Sequence, residues 1–416
     1  MRYKRRLMES LDKRTTALYS AGSIGAGAFF AFNNFVLPTI LKGAGAPDLL
    51  TGLLSSTRSI EGVVIQPTVG AVSDRIWTPH LGRRRIFIAV GIPLSAFFFV
   101  IAGFFTHTLL GLAIAIFLFS IFFNAAVDPY AALLADIAPV HERGLLSGVS
   151  TAVQLLAQVA FLVVVSRAAA SGEVPLWTYA LVGAVMVASF AATVFGIKER
   201  RDLIARKEHY SWGRYVRAVV SHGAAMRYLL TLFVYQFGIN AVLPYLTLFI
   251  IEDIGESAEV AFALAGLTLL VTAISAVASG KIAERFGTRA VLAAGWAILV
   301  LGAIGGTIVH GLPQTVGVVV LAGIGNGAAT AMSWPLLTEL IPHDETGVFA
   351  GLKAASESVA IPLSIFVAAE LFLPRFGYRG IFAMLAINIV LALALLFLLV
   401  RSRGAGPVEP ALAAAA

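Results

Sequence analysis

The feature that most constrains this chain is a succession of long apolar runs separated by connections of mostly a few residues. Twelve are legible: 16–41, 49–73, 86–106, 109–138, 144–168 and 175–197 in the first half, then 226–251, 257–281, 289–309, 314–340, 347–372 and 379–400. A hydrocarbon core of ~30 Å is crossed by about 20 helical residues at ~1.5 Å each, and every run reaches that length. Inside a bilayer each segment must satisfy its own backbone N–H and C=O groups, so such runs fold as helices. The predicted fold class is therefore all-α polytopic membrane protein with twelve transmembrane helices. Composition agrees, with 59% hydrophobic and 13% charged residues against about 25% charged in soluble domains. The chain has no cysteine, which removes disulfides and thiolate metal sites.

Short connections force neighbouring spans to run antiparallel. The exception is 198–225, a charged stretch whose Trp212, Tyr215, Val216 and Val219 stand at helical spacing; it is expected to lie on the membrane surface and to tether two halves. The basic start, 1–14, is followed by no small-residue cleavage site, so the first run is expected to be a retained helix. Loops on the amino-terminal side carry 24 Lys and Arg and the opposite loops 4, with Arg58 and Lys353 inside spans. The positive-inside rule then places both termini in the cytoplasm of a multi-pass protein of the cell (inner) membrane. The net charge of +7 reports this topology, so no nucleic-acid partner is expected.

The end of span 4, LLADIAPVHERGLLSG, is echoed by the end of span 10, LLTELIPHDETGVFAG. Asp136 matches Glu339, Pro139 matches Pro342, Glu142 matches Glu345 and Gly144 matches Gly347, at an offset of 203 (339 minus 136). GAVSDRIWTPHLGRRR after span 2 is likewise echoed by GKIAERFGTR after span 8. Each echo lies six spans downstream of its partner. The expected organisation is a six-helix bundle over 1–197, a linker over 198–225, a second six-helix pseudo-repeat over 226–403, and a disordered tail over 404–416. Two such halves with a solute site between them form the architecture of an alternating-access transporter.

The loop after span 2 places Gly70, Asp74 and Arg75 before Gly82, Arg83 and Arg84. This pattern resembles the major facilitator superfamily. The six-residue spacer Ile76 to Leu81, the Gly-Arg-Arg-Arg end, and span 4's Asp128-Pro129-Tyr130 followed by Glu142-Arg143-Gly144 resemble the sucrose–proton and glycoside–pentoside–hexuronide cation symporters. In that family the loop cluster latches one side by touching the start of span 11, which implies a gate rather than a substrate site. Asp74 at a helix carboxyl end has the wrong sign for the macrodipole, so its partner is expected elsewhere. Arg143, and the echo Glu284-Arg285, are grouped with the gate.

Three charges lie deep in the first half. Arg58 and Glu61, three residues apart, share a helix face, and Asp128 lies ~15 Å from the carboxyl end of its span. An ion at mid-depth costs at least ~2.5–3.5 kcal/mol and by default marks a functional site. A carboxyl balanced between apolar surroundings and a nearby arginine can load and release a proton. The other reading is a permanent pair that fixes packing. Asp128 is the expected coupling group, since the resembled symporters place a coupling aspartate on this span. Their sodium-coupled members carry paired aspartates on span 2, where this chain has Arg58 and Glu61, which points to protons. Lys353 and Glu357, four apart on span 11, read equally as gate residues or as a self-satisfied pair.

Polar stripes mark the remaining candidates. Span 5 offers Ser147, Thr151, Gln154 and Gln158 at i, i+4, i+7 and i+11; Thr268, Thr272, Ser275 and Ser279 repeat that spacing on span 8. The small hydroxyls, above all those of span 8, read better as helix packing. The expected substrate-binding set is Asn33 and Asn34 on span 1, Gln154 and Gln158 on span 5, Gln236 and Asn240 on span 7, and Asn326 and Trp334 on span 10. Amides donate and accept as sugar hydroxyls do, and an aromatic face suits the apolar side of a sugar ring. Gly323, Gly325 and Gly327 lie inside an apolar run and read as close packing. No catalytic or nucleotide-binding motif is present, so neither an enzyme nor a cofactor is expected. The function expected is proton-coupled symport of a disaccharide or glucoside by a monomer in the lipid bilayer. The alternatives are a proton-driven exporter of amphipathic compounds and a non-transporting sensor.

Overall fold

Helix formation follows the apolar runs closely. The computed structural model describes residues 12–56, 65, 68–69, 72–73, 76–139, 142–169, 174–199, 222–341 and 346–400. Among them ten helical stretches are long and apolar enough to cross a membrane. The longest, Gly351–Leu399, holds two of the expected spans and breaks at Gly377, whose φ of 62° and ψ of −165° interrupt the helix. The second span begins as Asp48–Leu54 and continues into residues outside the description. Residues 200–221, most of the expected linker, also lie outside it, as do Arg58, Glu61, Gly70, Asp74 and Arg75.

Span 1 is Lys13–Ala31 continued by a π-helical turn, Phe32–Val36, and by Leu37–Gly43. Spans 3 to 6 are Arg85–Ala102, Leu109–Ile137, Arg143–Ala168 and Leu176–Gly196. Span 7 is Gly223–Val242, a 3-10 turn at Leu243–Tyr245, and a further π turn at Phe249–Asp253. Spans 8, 9 and 10 are Ala258–Phe286, Thr288–Ile308 and Leu312–Glu339. Span 11 is Thr346–Val367 with a π turn at Ala368–Phe372, and span 12 lies within Leu373–Leu399. The near end of the molecule is the one holding Lys13 and Leu399; the opposite end is the far end.

Spans 1, 3, 4, 5 and 6 pack with one another, and spans 7 to 12 do the same. Equivalent contacts recur in both sets. Tyr19 Oη on span 1 donates to Tyr130 O on span 4 at 3.3 Å, and Tyr228 Oη on span 7 donates to Ser333 O on span 10 at 3.0 Å. The offset from Tyr130 to Ser333 is again 203. Gly82 and Gly287, with φ of 72° and 84°, open the corresponding turns, a conformation that favours glycine. The residue after each glycine bonds the acid ending span 4 or 10: Arg83 holds Asp136, and Thr288 Oγ1 donates to Glu339 Oε1 at 2.6 Å.

Glycines set the tightest seams. A Cβ on Gly323 would stand 2.8 Å from Thr268 O, one on Gly327 2.7 Å from Ser275 Cβ, and one on Gly325 2.6 Å from Gly295 O. Span 10 therefore meets span 8 through Gly323 and Gly327 and span 9 through Gly325. The span 8 stripe therefore packs a seam, the reading its small hydroxyls favoured. Thr268 and Thr272 bond carbonyls one turn back, and Ser275 Oγ donates to Ile324 O of span 10 at 2.7 Å. Small hydroxyls here fill a helix–helix seam, where a hydroxyl finds a backbone partner and leaves room for close approach.

Candidate functional site

Between the two sets, the described contacts gather toward the far end. Span 5 packs on span 8, with Leu162 beside Gly266. Tyr245 Oη donates to Asp48 O at 2.8 Å, tying span 7 to the start of span 2, and a Cβ on Gly52 would come within 3.0 Å of both Tyr245 and Ile365. Toward the near end, a Cβ on Gly148, Gly280 or Gly351 would meet open space.

Where the sets meet lies a cavity of about 240 Å³ lined by Phe30, Asn34, Ser55, Ser56, Gln154, Gln158, Asn240, Leu243, Pro244, Ile361 and Ile365. Four of the expected substrate residues, Asn34, Gln154, Gln158 and Asn240, are brought together here from spans 1, 5 and 7. Local breaks in the helices aim some of them. Asn34 sits in the π turn of span 1, and Leu243 and Pro244 form the 3-10 turn of span 7, irregularities often found at functional sites. The span 5 stripe runs into the cavity. Ser147 and Thr151 are exposed, Gln154 is half-buried and Gln158 is buried, so the polar face leads from the near end inward.

Asn240 Nδ2 donates to Gln236 O at 2.8 Å and to Gln236 Oε1 at 3.3 Å. Gln236 Nε2 donates in turn to Glu357 Oε1 at 3.0 Å, and Lys353 Nζ pairs with the same oxygen. A polar chain thus runs from the cavity wall to the ion pair on span 11. The pair forms within span 11, and Glu357 also accepts from Gln236 of span 7.

The other candidates lie apart from the cavity. Asn33 is 2% exposed and donates to Ser55 O at 2.6 Å, pinning span 2 to span 1. Asn326 accepts from the Tyr235 hydroxyl at 2.9 Å, and that ring stacks on Trp296. Trp334 packs against the hydrophobic core. Asp128 is half-buried in span 4, just before the buried Pro129, and is not among the residues lining the cavity.

The loop arginines form a second, near-end constellation. Arg83 grips Asp136 with two nitrogens, Arg84 Nε reaches the same carboxylate at 3.4 Å, and Arg84 also bonds Ser73. Beneath them Glu199 accepts the backbone N–H groups of Arg83, Arg84 and Arg85 at 2.8–2.9 Å. A carboxylate there satisfies orphan donors and complements the positive pole of span 3. Arg143 donates to Ala138 O and Ala135 O, closing the end of span 4. Glu284 and Arg285, expected to act with the gate, are exposed. Sequence reading missed Asp136 and Glu199 as partners of the loop arginines. The echo of Asp136 with Glu339 was the available signal for the first; Glu199 is separated from the loop by over 110 residues and gave none.

A family model described as MFS/sugar transport protein matches residues 18–402. The chain belongs to that family. It is a multi-pass membrane protein and a secondary transporter of the major facilitator superfamily, not an enzyme. The transporter is 24% identical over 356 residues to "Multidrug resistance protein MdtG" of Enterobacter lignolyticus, covering 82% of this chain and 80% of that protein. Over 95 residues it is 33% identical to "Sucrose transport protein SUT3" of Oryza sativa subsp. indica, covering 23% of this chain and 18% of that protein. The crystal structure of a D-xylose-proton symporter superposes with a TM-score of 0.72 at 17% identity, over 94% of this chain and 98% of that one, a likeness of fold.

Proposed function

We propose that this transporter carries a neutral sugar, coupled to proton entry, through the cavity lined by Asn34, Gln154, Gln158 and Asn240. The observation that carries the reading is the chemistry of that wall among the described residues: four amides and two serines with Phe30, Leu243, Pro244, Ile361 and Ile365, and no charged side chain. Amides offer donors and acceptors together, matching hydroxyls that do both. A volume of about 240 Å³ sits below the ~300–1,000 Å³ of drug-sized sites. In this state it suits one sugar ring, and a second ring of a disaccharide or glucoside needs the near-end opening.

The proton belongs to Asp128, whose half-buried carboxyl beside Pro129 lies deep in span 4, unlike Asp136, which Arg83 holds at its end. Arg58 and Glu61 complete the proposed coupling set. The termini are cytoplasmic on the positive-inside count, so the cavity opens toward the cytoplasm and the far-end contacts close the outside.

Export of amphipathic compounds is the second reading, favoured by the relative named as a multidrug resistance protein. Against it stands the small amide-lined wall, whose described residues include Phe30 as their one aromatic. Proteoliposomes separate the two. A labelled mono- or disaccharide should accumulate under an inward proton gradient, and Asp128→Asn should stop accumulation while sparing exchange. Gradient-driven efflux of a lipophilic dye with no sugar uptake overturns the sugar reading.

A further inference from the structure

Spans 8 and 9 each pack closely on span 10 but touch one another little, because the glycine seams draw both toward the same helix. The wedge left between them is a groove of about 670 Å³, walled by Ile274, Ile282 and Phe286 of span 8 and by Ala294 and Ile298 of span 9, with Ile324 of span 10 as floor. From Val271 to Phe286 it runs ~22 Å along the helix, opening at the near end and reaching past one leaflet's half of a ~30 Å core. Its walls are almost wholly apolar, and Ile274, Ile282 and Phe286 are exposed.

Two cations stand at its mouth. The Arg285 guanidinium lies over the Phe286 ring, 5.4 Å from the centroid, so the charge sits on a residue that walls the groove. Lys281 is one turn back. Both are exposed, and neither forms an ion pair among the described residues. At 100° per residue, Arg285 falls about 60° from the centre of the groove-facing stripe, Lys281 about 100°, and Glu284 about 160°, on the opposite face. Arg289 is turned away, donating to Leu396 O of span 12 at 3.0 Å.

We propose that this groove is a phospholipid site, holding one acyl chain of an anionic lipid whose phosphate pairs with Arg285 and, through its flexible stem, Lys281. An apolar slot of leaflet depth, capped by cations that form no ion pair among the described residues, matches that chemistry end to end. A neutral head group leaves the cations unmatched, whereas an anionic one near a membrane surface gains ~1 kcal/mol per basic residue. The site faces lipid, away from the central cavity, so its occupancy is independent of the sugar reading.

Native mass spectrometry of the full chain tests it, using phosphatidylglycerol and phosphatidylcholine with identical acyl chains. Phosphatidylglycerol should be retained about fivefold over phosphatidylcholine, the ratio that ~1 kcal/mol gives. Arg285→Gln should erase that preference, and Ala294→Trp, which fills the slot, should remove the retained lipid itself. Among the described residues Arg285 makes no hydrogen bond, so its loss should leave folding intact, and the wild-type lipid comparison needs no variant. Equal retention of the two lipids, a preference unchanged in Arg285→Gln, or dimers in place of lipid adducts overturns the assignment.

Discussion

Arg83 meets Asp136 through two parallel hydrogen bonds, Nε to Oδ2 at 3.1 Å and Nη2 to Oδ1 at 2.6 Å, with the side chains only 13% and 6% exposed. The fork geometry is specific to arginine. Because Arg84 shares the carboxylate, removing Asp136 takes an anion from two poorly hydrated arginines at once. Asp136→Ala should cost about 3–5 kcal/mol, the usual penalty for breaking a buried pair from one side. Arg83→Lys should cost less, keeping the charge and losing the second bond. Thermal unfolding in detergent ranks the two, and an unchanged midpoint for Asp136→Ala contradicts the pairing.

The glycine seam makes a sharper contrast. Gly327→Ala drives a methyl to 2.7 Å from Ser275 Cβ and closer still to Thr272 O, forcing spans 8 and 10 apart. Overpacking of this kind costs roughly 1–3 kcal/mol. Gly280→Ala, on the same span 8 but with open space around it, should instead stabilise by up to ~1 kcal/mol through helix propensity. Opposite shifts in melting temperature are expected from one identical chemical change.

Solute affinity should respond to the amides singly. Gln158→Leu and Asn240→Leu keep volume and remove hydrogen bonding, leaving a bound hydroxyl unsatisfied at about 1–3 kcal/mol. Each ~1.4 kcal/mol is tenfold, so KM for sugar uptake should rise by roughly tenfold or more in either variant. Trp334→Phe, outside the cavity, should leave KM where it is. Uptake kinetics in proteoliposomes decide this.

Glu357 holds both Lys353 and Gln236. Glu357→Leu should destabilise by about 3 kcal/mol, since it leaves a half-buried ammonium without its anion. Adding Lys353→Met should restore most of the loss, because replacing both partners by apolar groups removes the desolvation cost as well as the attraction. A double-mutant cycle on melting midpoints yields the coupling directly. Additive losses show that the pair is inert.

Much of this molecule was legible in the sequence because the bilayer leaves a chain few choices. Long apolar runs must be helices, and short loops must make neighbours antiparallel. The echo of Asp136 in Glu339 marked the ends of spans 4 and 10 as equivalent, although the loop contact each acid makes did not show in the sequence. Spacing alone marked Gln154 and Gln158 as one face of span 5, and amide chemistry marked Asn34 and Asn240. All four line the same cavity.

Tertiary structure decided what periodicity cannot express, namely which helix lies opposite a given face. Stripes on spans 5 and 8 share one spacing, yet the first enters a cavity while the second closes on Gly323 and Gly327 of span 10. Asn33 and Asn34 are adjacent, and one π turn sends the first to Ser55 O and the second to the cavity. Glu199 found the backbone of Arg83 to Arg85 across more than 110 residues of chain. Burial in lipid dictates the elements from composition alone, whereas partners depend on the distances between helices, and those emerge only when all the helices are packed together.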